Sequence, residues 1–495
     1  MSMFDRKLSR QVKRWLGRKY PNIFMTTLGQ LQHYTVHLKG GGKIVIIDDG
    51  AVIGAEEAAM IQALHSRSTG GVDAHLVTLE KIGAEEFMKK YYVNYGHKSI
   101  GDCGMGVVFI EGVSMLAAKA IQDSQLYNGQ EASTRYITFE NQPVVNPVGT
   151  AAGSAALENA RTFYLKAIKE MREILPLRHP FNPDDYKPKP GEKEKTEEEK
   201  ERVWQNAINA RAFDVCRGFL PAGMSTNLAW TTTLRQFSDR IAILRNHPLA
   251  EVREVAEALE DAMIEVYPNS FAKKRYEETE AYMAGICQDC YYYHKPDSPV
   301  MGLHHDGINR KGLQADPRYK TLLKTRPAKT ELPKWVGAYG TAAFEFLLDF
   351  GSFRDVQRQR AVIQRMPLLT ADIGINPWYM EQLTDSLRAE AEAFLESQKD
   401  IIDGLTDDPV VKQYYWSMGY QISNFLAGDL PALVYLVELR ASSQVHATLA
   451  FQAEDMAKIM EKTYGDLGLK IHLGTVAGQF DVKRGEATIS GLDDN

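Results

Sequence analysis

The sequence predicts a mixed α/β (α+β) fold of two domains, each a small sheet covered by long helices. Its 495 residues are too many for one simple hydrophobic core, so two domains are expected. Short apolar runs typical of buried strands lie between segments in which apolar residues recur at helical spacing. Another apolar run, Phe344–Leu348, begins the same pattern again in the second half of the chain.

The individual elements follow from local patterns. Strands are predicted where apolar or β-branched residues run together, and helices where apolar residues recur every three to four positions. The predicted elements are strands at Lys43–Asp48 and Met105–Ile110, helices at residues 54–66, 114–125 and 153–174, and a closing hairpin within Lys470–Ile489. Residues 180–203 are rich in Pro, Lys, Glu and Asp and are predicted to form a charged surface insert.

Composition and charge exclude several classes of protein. With 44% hydrophobic and 25% charged residues the chain has globular values, and no apolar run approaches the roughly twenty residues that span a bilayer. A net charge of −6 makes broad nucleic-acid binding unexpected. Four cysteines do not make a disulfide framework, so a cytoplasmic setting is expected. The cationic segment Arg6–Lys19 is interpreted as a solvated helix that docks on its own protein or on a partner subunit, with membrane or RNA contact as the alternative.

The stretch from Tyr95 to Tyr136 carries the candidate functional side chains. His97 and Ser99 lie in a GHKS turn before the second strand, and the helix after that strand is followed by the run EASTRY, residues 131–136. Alternate positions of an extended segment point to one side. The carboxylate, hydroxyl and guanidinium of this run are therefore expected to face one site.

This stretch resembles the flavin-dependent thymidylate synthase family, whose signature reads RHRxxSxNExSxRY and follows a GHxS-type turn. Glu131, Ser133 and Arg135 match the last part of that signature. The first part departs, because Asp123-Ser124-Gln125 stands where the family has Arg-His-Arg. In the family these basic residues hold the flavin and the nucleotide, so the first half of this chain lacks that triplet.

A second segment, Arg217–Arg253, also resembles the family. The corresponding family run, ARxxLPxxxxT…NxR…LR…EIR, supplies contacts to flavin and nucleotide. Here the run RGFLP is followed by Thr226, by Arg235 and by Leu244-Arg245. The resemblance implies that Arg235 contacts the cofactor and that Arg245 contacts the substrate.

The half that begins near residue 331 resembles a diverged second copy. Residues 353–360 are similar to the helix that ends in the family's Arg-His-Arg, with Arg358 and Arg360 in the basic positions, and residues 439–446, with Arg440, are similar to the family's LRxxxHAQ helix. The predicted domains are residues 1–285 and 331–495, joined by 286–330. The family is a homotetramer with active sites between subunits, so the resemblance implies a homodimer that forms a pseudo-tetramer.

The resemblance assigns a role to each candidate side chain. The expected catalytic residues, which also bind substrate, are Glu131, Ser133 and Arg135. The other expected substrate ligands are Arg245 and Arg440. The expected cofactor ligands are His97, Ser99, Arg235, Arg358 and Arg360. A composite site is hypothesised in which the last two meet His97, Ser99, Arg235 and Arg440.

The implied reaction is transfer of a one-carbon unit to C5 of a uracil nucleotide, of the dUMP to dTMP type. In the family, FAD supplies hydride, methylenetetrahydrofolate supplies the carbon and NADPH reduces the flavin, while the protein contributes binding and orientation. Guanidinium groups suit phosphate and developing negative charge. Two alternatives stay open: an enzyme with an altered substrate, and a non-catalytic relative that binds a nucleotide or has a structural or regulatory role.

A second group of candidate functional residues, which could bind a metal, lies near the middle of the chain. Cys287 and Cys290 form a CxxC, with His294 close behind and His304-His305 downstream. Thiolates three positions apart and an imidazole are ligands that zinc prefers. A single CxxC without a second pair is modest evidence, so no metal is expected.

Overall fold

A computed structural model of the protein describes residues 33–47, 54–65, 75, 77–79, 81, 83–89, 98–188 and 193–487. The chain forms two compact units. Unit 1 takes in the described parts of Met1–Val113, Ala120–Glu131 and Thr226–Asp289, and unit 2 those of Ser114–Lys119, Ala132–Ser225 and Cys290–Asn495. Each unit is discontinuous in sequence. The predicted domains, residues 1–285 and 331–495 joined by 286–330, stay a prediction.

The first sheet has the strand order β1-β2-β3-β5-β4. Its strands are β1 (His33–His37), β2 (Lys43–Ile47), β3 (Met105–Ser114), β4 (Asn128–Glu131) and β5 (Ser225–Thr233). The β-branched run of β3 alternates between the two faces of the sheet, which buries Val108 and Ile110 completely. The predicted strands at Lys43 and Met105 are confirmed, and β3 extends beyond its predicted end.

The second sheet lies in unit 2 and has the strand order β6-β7-β9-β8. Its strands are β6 (Met301–Asp306), β7 (Thr341–Asp349), β8 (Ile363–Gln364) and β9 (Gln421–Asp429). Every residue of β7 after Thr341 is buried, so both faces of this strand are covered. That is why residues 344–348 form a nearly continuous apolar run, and the strand predicted there is confirmed.

The helices surround these sheets and follow the predicted order. They are α1 (Ala55–His65), α2 (Glu85–Phe87), α3 (Lys98–Gly101), α4 (Met115–Gln122), α5 (Ala151–Arg178), α6 (Glu197–Cys216), α7 (Leu234–Leu244), α8 (Ala250–Val266), α9 (Glu277–Cys290), α10 (Arg310–Ala315), α11 (Pro317–Thr325), α12 (Phe350–Val356), α13 (Pro377–Gln382), α14 (Asp385–Asp403), α15 (Pro409–Lys412), α16 (Leu430–Arg440) and α17 (Ala447–Tyr464).

Local signals explain where the long helices begin. The Thr150 side chain accepts from the Gly153 backbone N–H at 3.2 Å and caps α5, and Thr196 with Glu199 forms a capping box at the start of α6. The predicted helices at 54–66, 114–125 and 153–174 are present, although α4 ends at Gln122.

Two predicted elements near the second sheet are wrong. No strand occurs among the described residues from Lys470 to Ala487, where loop leads to a 3₁₀ turn at Val482–Ala487. The segment expected to continue as one helix through His446 is interrupted after Arg440, because Ala441–His446 forms the connection between α16 and α17. Both segments mix charged and small residues, so their local sequence pattern did not distinguish a strand or a helix from a loop.

Within unit 2, the loops that precede β5 and β9 bond to each other reciprocally. The Ala222 N–H donates to the Trp416 carbonyl at 3.0 Å, and the Met418 N–H donates to the Leu220 carbonyl at 2.8 Å. The shift of 196 positions that takes Ala222 to Met418 also takes Leu220 to Trp416. The two loops therefore exchange equivalent backbone groups, as a pair related by a local twofold axis does.

The same shift relates the elements that follow these loops. It carries Ser225–Thr233 (β5) onto Gln421–Asp429 (β9), and Leu234–Leu244 (α7) onto Leu430–Arg440 (α16). In each sheet the strand before this one, β3 or β7, is followed at once by a helix and then by a short strand that pairs with β5 or β9. The two sheets thus share one order of connections.

Alanine at either of two equivalent glycines is expected to lower the free energy of unfolding by about 1–3 kcal/mol, the usual cost of overpacking. A Cβ on Gly223 would lie 2.6 Å from the Tyr414 carbonyl oxygen, and one on Gly419 would lie 2.8 Å from that of Gly218. Urea unfolding followed by circular dichroism measures the effect. Gly285→Ala is the control, because a Cβ there meets nothing within 4 Å on a helix. Equal stability of all three variants would contradict the close approach.

Candidate functional site

Glu131 ends β4 in unit 1 and is held by a neighbouring amide. Its exposed fraction is 8%, and its Oε2 accepts from Gln122 Nε2 at 3.0 Å. A buried carboxylate bonded in this way has a defined orientation. The predicted catalytic carboxylate is therefore a fixed acceptor, positioned by the last residue of α4.

Ser133 and Arg135 lie in unit 2, in a turn. The Ser133 carbonyl accepts from the Tyr136 N–H at 3.4 Å, and its hydroxyl accepts from the Arg135 N–H at 3.3 Å. The prediction of an extended segment with alternating side chains is wrong beyond Glu131. Serine side chains offer the backbone a local bond that competes with strand pairing, and here that bond helps to close a turn.

The Arg135 guanidinium is engaged by a buried carboxylate that the sequence analysis missed. Its Nε and Nη2 donate to the two oxygens of Asp214 at 2.8 and 3.0 Å, and Arg484 donates to the same carboxylate. Burial alone would raise the pKa of Asp214, but the Arg135 and Arg484 guanidiniums hold that pKa well below its usual range. Arg135 thus anchors its turn, and its Nη1 donates to the Gln444 carbonyl at 3.2 Å.

A second cluster of unit 2 gathers arginines from both halves of the chain around Asp355. Arg217 Nη1 lies 3.7 Å and Arg358 Nε 3.9 Å from its carboxylate oxygens. Burial acts to raise the pKa of Asp355, but Arg217, Arg135, Arg358 and Arg440 together lower it. Two of these guanidiniums also face a second carboxylate, because Arg135 pairs with Asp214 and Arg217 Nη2 lies 3.9 Å from Asp349. Arg358 and Arg440 share Asp355, so their side of the cluster suits an anion.

The predicted basic triplet lies at the edge of this cluster, which we call the Asp355 cluster. The Arg358 side chain is 41% exposed, whereas Arg360 is partly buried. Between them, the Gln359 amide satisfies its hydrogen bonds when its oxygen faces Arg440, and in that orientation it accepts from Arg440 Nη2 at 2.7 Å and Nε at 3.1 Å. The structure therefore brings Arg358, Arg360 and Arg440 into one region of unit 2.

The candidates of unit 1 form a separate group. Ser99 is exposed on α3, and the Arg235 guanidinium bonds to Asp102, one residue past that helix, at 2.7 Å. Thr233 Oγ1 donates to the same carboxylate at 3.3 Å. Asp102 thus links the Ser99 helix to Arg235, while His97 lies outside the described residues, as does the cationic segment Arg6–Lys19.

Arg245 is part of a buried ionic network in unit 1. Its Nη1 donates to Glu260 at 3.0 Å and its Nη2 to Glu280 at 2.6 Å, and Arg275 also bonds to Glu260. Only 11% of the Arg245 side chain is exposed. Both terminal nitrogens that would bind a substrate phosphate are taken by carboxylates.

A buried serine and histidine complete the polar core of unit 2. The His446 Nε2 donates to the Asp214 carbonyl at 3.1 Å, so its Nδ1 accepts, from Thr448 Oγ1 at 2.9 Å or from Ser352 Oγ at 3.3 Å. Burial, followed by the nearby Arg217 charge, lowers the pKa of His446, which keeps the ring neutral. None of the imidazole is exposed, so the pair supports the fold around Asp214.

The cysteines and histidine that were considered as zinc ligands do not contact one another in a metal site. The buried Cys287 thiol donates to the Ile243 carbonyl at 3.5 Å, Cys290 is exposed, and His294 contacts Asp372 at 3.1 Å. Among the residues that the structure describes, no group of three or more metal-binding side chains occurs. Nor does any described helix have the length and apolarity to cross a bilayer.

One signal in the sequence pointed to the missed residues. Asp214 follows Ala212-Phe213 and precedes Val215-Cys216, so it is a lone carboxylate on the apolar face of α6. A buried lone acid needs a cation. The identity of that cation was hidden, because Arg135 and Arg484 lie 79 and 270 residues away in the chain.

Comparisons with known proteins show what parts of the chain are similar to. Residues 54–269 match the family model Thy1, thymidylate synthase complementing protein. The chain is 24% identical over 432 residues to a UPF0159 protein of Chlamydia muridarum, which covers 76% of this chain and 78% of the relative. It is 24% identical over 458 residues to one of Chlamydia pneumoniae, with 80% and 82% covered. A UPF0159 protein of Thermoplasma acidophilum is 23% identical over 426 residues, with 74% and 84% covered.

A solved structure is also similar in part. Thymidylate synthase X from Helicobacter pylori, determined with FAD and dUMP, matches 46% of this chain and 92% of its own at 16% identity. The TM-score of 0.24 is too low to establish a shared fold. The match of residues 54–269 to this family model confirms the resemblance to the thymidylate synthase family that was seen in the sequence.

Proposed function

We propose that the protein is a flavin-dependent transferase that adds a one-carbon unit to C5 of a uracil nucleotide, of the dUMP to dTMP type. The observation that carries this proposal is the match of residues 54–269 to the family. The Asp355 cluster supports it, because the substrate and cofactor of such a reaction are phosphate esters and guanidinium groups bind phosphate well.

The side chains of unit 2 fit the phosphates of FAD and of a nucleotide. The Arg358 Nε lies 3.9 Å from Asp355, beyond hydrogen-bond length, and its side chain is 41% exposed. Its planar fork is therefore available for a bidentate contact. The Gln359 amide oxygen holds Arg440 in a defined orientation beside it.

Each predicted side chain has a role in this proposal. When bound, FAD supplies the hydride, with NADPH and methylenetetrahydrofolate as co-substrates. In unit 2, Arg358 and Arg360 hold phosphate, Arg440 binds the nucleotide, and Ser133 orients it through its hydroxyl. In unit 1, the fixed carboxylate of Glu131 is a proposed substrate ligand. The other proposed contributors are Ser99, Arg235 and His97 as cofactor ligands, Arg135 as the anchor of the Ser133 turn, and Arg245 as a substrate ligand if Glu260 and Glu280 release it.

We also infer that the second half is a diverged copy of the first. The shift of 196 positions that relates β5 to β9 and α7 to α16 supports this, as does the shared order of connections in the two sheets. In this correspondence Arg358-Gln359-Arg360, after α12, is equivalent to Asp123-Ser124-Gln125, after α4. The second copy then supplies two of the three basic residues that the first has lost, and a homodimer of such chains would form a pseudo-tetramer.

The proposal is tested by adding FAD to the purified protein and recording the visible spectrum before and after dUMP. A flavin band that co-elutes with the protein and changes with dUMP is expected, followed by dTMP formation when NADPH and methylenetetrahydrofolate are supplied. A protein that takes up no FAD at high concentration would overturn the flavoenzyme proposal.

The second candidate function is nucleotide binding without catalysis. Its support is that Arg135 and Arg245 are engaged by carboxylates and that the first half lacks the basic triplet. The same experiment separates the two, because this candidate predicts binding of dUMP by calorimetry with no flavin band and no dTMP.

A further inference from the structure

A cavity of about 740 Å³ lies in unit 2, between the C-terminal end of α5, the loop after α16 and the segment 475–483. Its volume falls within the roughly 300–1,000 Å³ of small-molecule sites. None of the side chains so far assigned a role lines it. Its walls carry three kinds of group that recognise one class of ligand.

The first kind is an aromatic surface. The His179 and Phe480 rings line the cavity and stack with centroids 4.2 Å apart and planes within 9°. Burial, followed by the Arg211 and Arg178 charges, lowers the pKa of His179, so its ring is neutral near pH 7. A neutral stack of this kind suits a planar heterocycle.

The second kind is cationic. Arg178 and Lys483 both line the cavity, and both are exposed residues. Arg178 also donates to the Gln382 carbonyl, which limits its motion. Two cations on one cavity, one of them a planar fork, suit a phosphate group.

The third kind consists of acceptors and hydroxyls. Asp185 and Asp481 line the cavity, and Asp481 Oδ2 accepts from Ser443 Oγ at 3.1 Å, which holds that carboxylate in place. The Ser443 N–H in turn donates to Thr475 Oγ1 at 2.9 Å. Carboxylates bind the hydroxyl groups of a sugar, since an ionised carboxylate is a pure acceptor.

We propose that this cavity is a mononucleotide-binding site distinct from the Asp355 cluster, with the base on the His179–Phe480 stack, the phosphate on Arg178 and Lys483, and the sugar hydroxyls on Asp185 and Asp481. One residue of the cavity wall, Gln444, also contacts an arginine of the family motif. Gln444 lines the cavity, and its carbonyl accepts from Arg135 Nη1 at 3.2 Å. A nucleotide bound in this cavity therefore contacts a residue that is hydrogen-bonded to the turn that contains Ser133.

Trp204 provides a local reporter for this site. Its Nε1 donates to the His179 carbonyl at 2.9 Å, so a ligand that contacts His179 changes the surroundings of the indole. The experiment titrates the full chain with dUMP, dTMP and AMP in turn and follows tryptophan emission, and it uses Trp204→Phe to show which signal comes from this indole. A saturable change with at least one nucleotide is expected.

Variants then locate the bound nucleotide. Arg178→Ala and Lys483→Ala are each expected to raise its Kd about tenfold or more, the effect of one charge-assisted hydrogen bond. Phe480→Leu is expected to weaken nucleotide binding while inorganic phosphate binds as before. Lys169→Ala, an exposed lysine on the same helix as Arg178, is the matched control and leaves the Kd unchanged.

Three results would overturn the proposal: no saturable change with any of the three nucleotides, an unchanged Kd in both cation variants, or a signal that inorganic phosphate reproduces alone. Because this readout needs neither FAD nor turnover, it can fail while the transferase proposal stands, and the reverse also holds.

Discussion

Replacing Asp214 with alanine is expected to lower the free energy of unfolding by about 3–5 kcal/mol, the usual cost of breaking a buried ion pair. Asp214 is 1% exposed and pairs with both Arg135 and Arg484. Without it, two largely buried guanidiniums lose their counter-charge in a medium that solvates them poorly. Urea unfolding, followed by circular dichroism, measures the change.

The control removes a partner from an exposed ion pair. Lys166 and Glu390 pair on the surface, with side chains 52% and 44% exposed, so Glu390→Ala is expected to change stability by less than about 1 kcal/mol. If Asp214→Ala unfolded at the same urea concentration as Glu390→Ala, the buried network would not hold the turn of Arg135.

The same carboxylate also predicts a pH dependence. The pKa of Asp214 is lower in the folded protein than in the unfolded chain, so the unfolded chain takes up this proton first as pH falls. Its contribution to stability is complete above the ordinary carboxyl pKa of about 4 and is lost as the pH falls toward the folded value. Asp214→Asn is therefore expected to show a shallower loss of stability in acid than the parent.

Arg358→Ala is expected to weaken binding of dUMP or FAD about 10- to 100-fold, the effect of losing one or two charge-assisted hydrogen bonds. Its side chain is 41% exposed and is the most open guanidinium of the Asp355 cluster that we assign to phosphate. Calorimetry with dUMP and spectral titration with FAD measure the two affinities separately. Arg358→Lys is expected to recover part of the loss, because lysine keeps the charge and loses the planar fork.

Arg318→Ala is the matched control for this prediction. Arg318 also belongs to unit 2 and pairs with a carboxylate, Asp316, but its side chain is 79% exposed on a surface helix. Its replacement is expected to leave both affinities as they are. Equal affinities for Arg358→Ala and the parent would remove Arg358 from the site and leave the phosphate to other groups.

Several elements were predictable because their causes are local. The apolar runs of β2, β3 and β7 and the helical spacing of α1 and α5 made those elements visible in the sequence. The start of α6 also has a local cause, because Thr196 and Glu199 form a capping box there. The Glu131–Arg135 motif was recognisable for a different reason, its likeness to a family.

The partners of the motif residues were not predictable, because they come from distant parts of the chain. Arg135 was expected to bind substrate, but its fork meets Asp214, which lies 79 residues away. Arg245 meets Glu260 and Glu280 in the same way. The sequence shows where an arginine is, but it does not show whether its guanidinium is paired with a carboxylate.

By itself the sequence predicted β2, β3 and β7, the helices α1, α4 and α5, and the resemblance to the thymidylate synthase family that the match of residues 54–269 confirms. Only the tertiary structure decided which guanidiniums are engaged, that the motif forms a turn, and that Arg358 and Arg440 lie beside one partly buried carboxylate, Asp355. The physical reason is the distance along the chain between the groups that interact. Hydrogen bonds within a helix or turn connect neighbours in sequence, whereas the pairing and burial of charges depend on packing between segments that only the folded chain brings together.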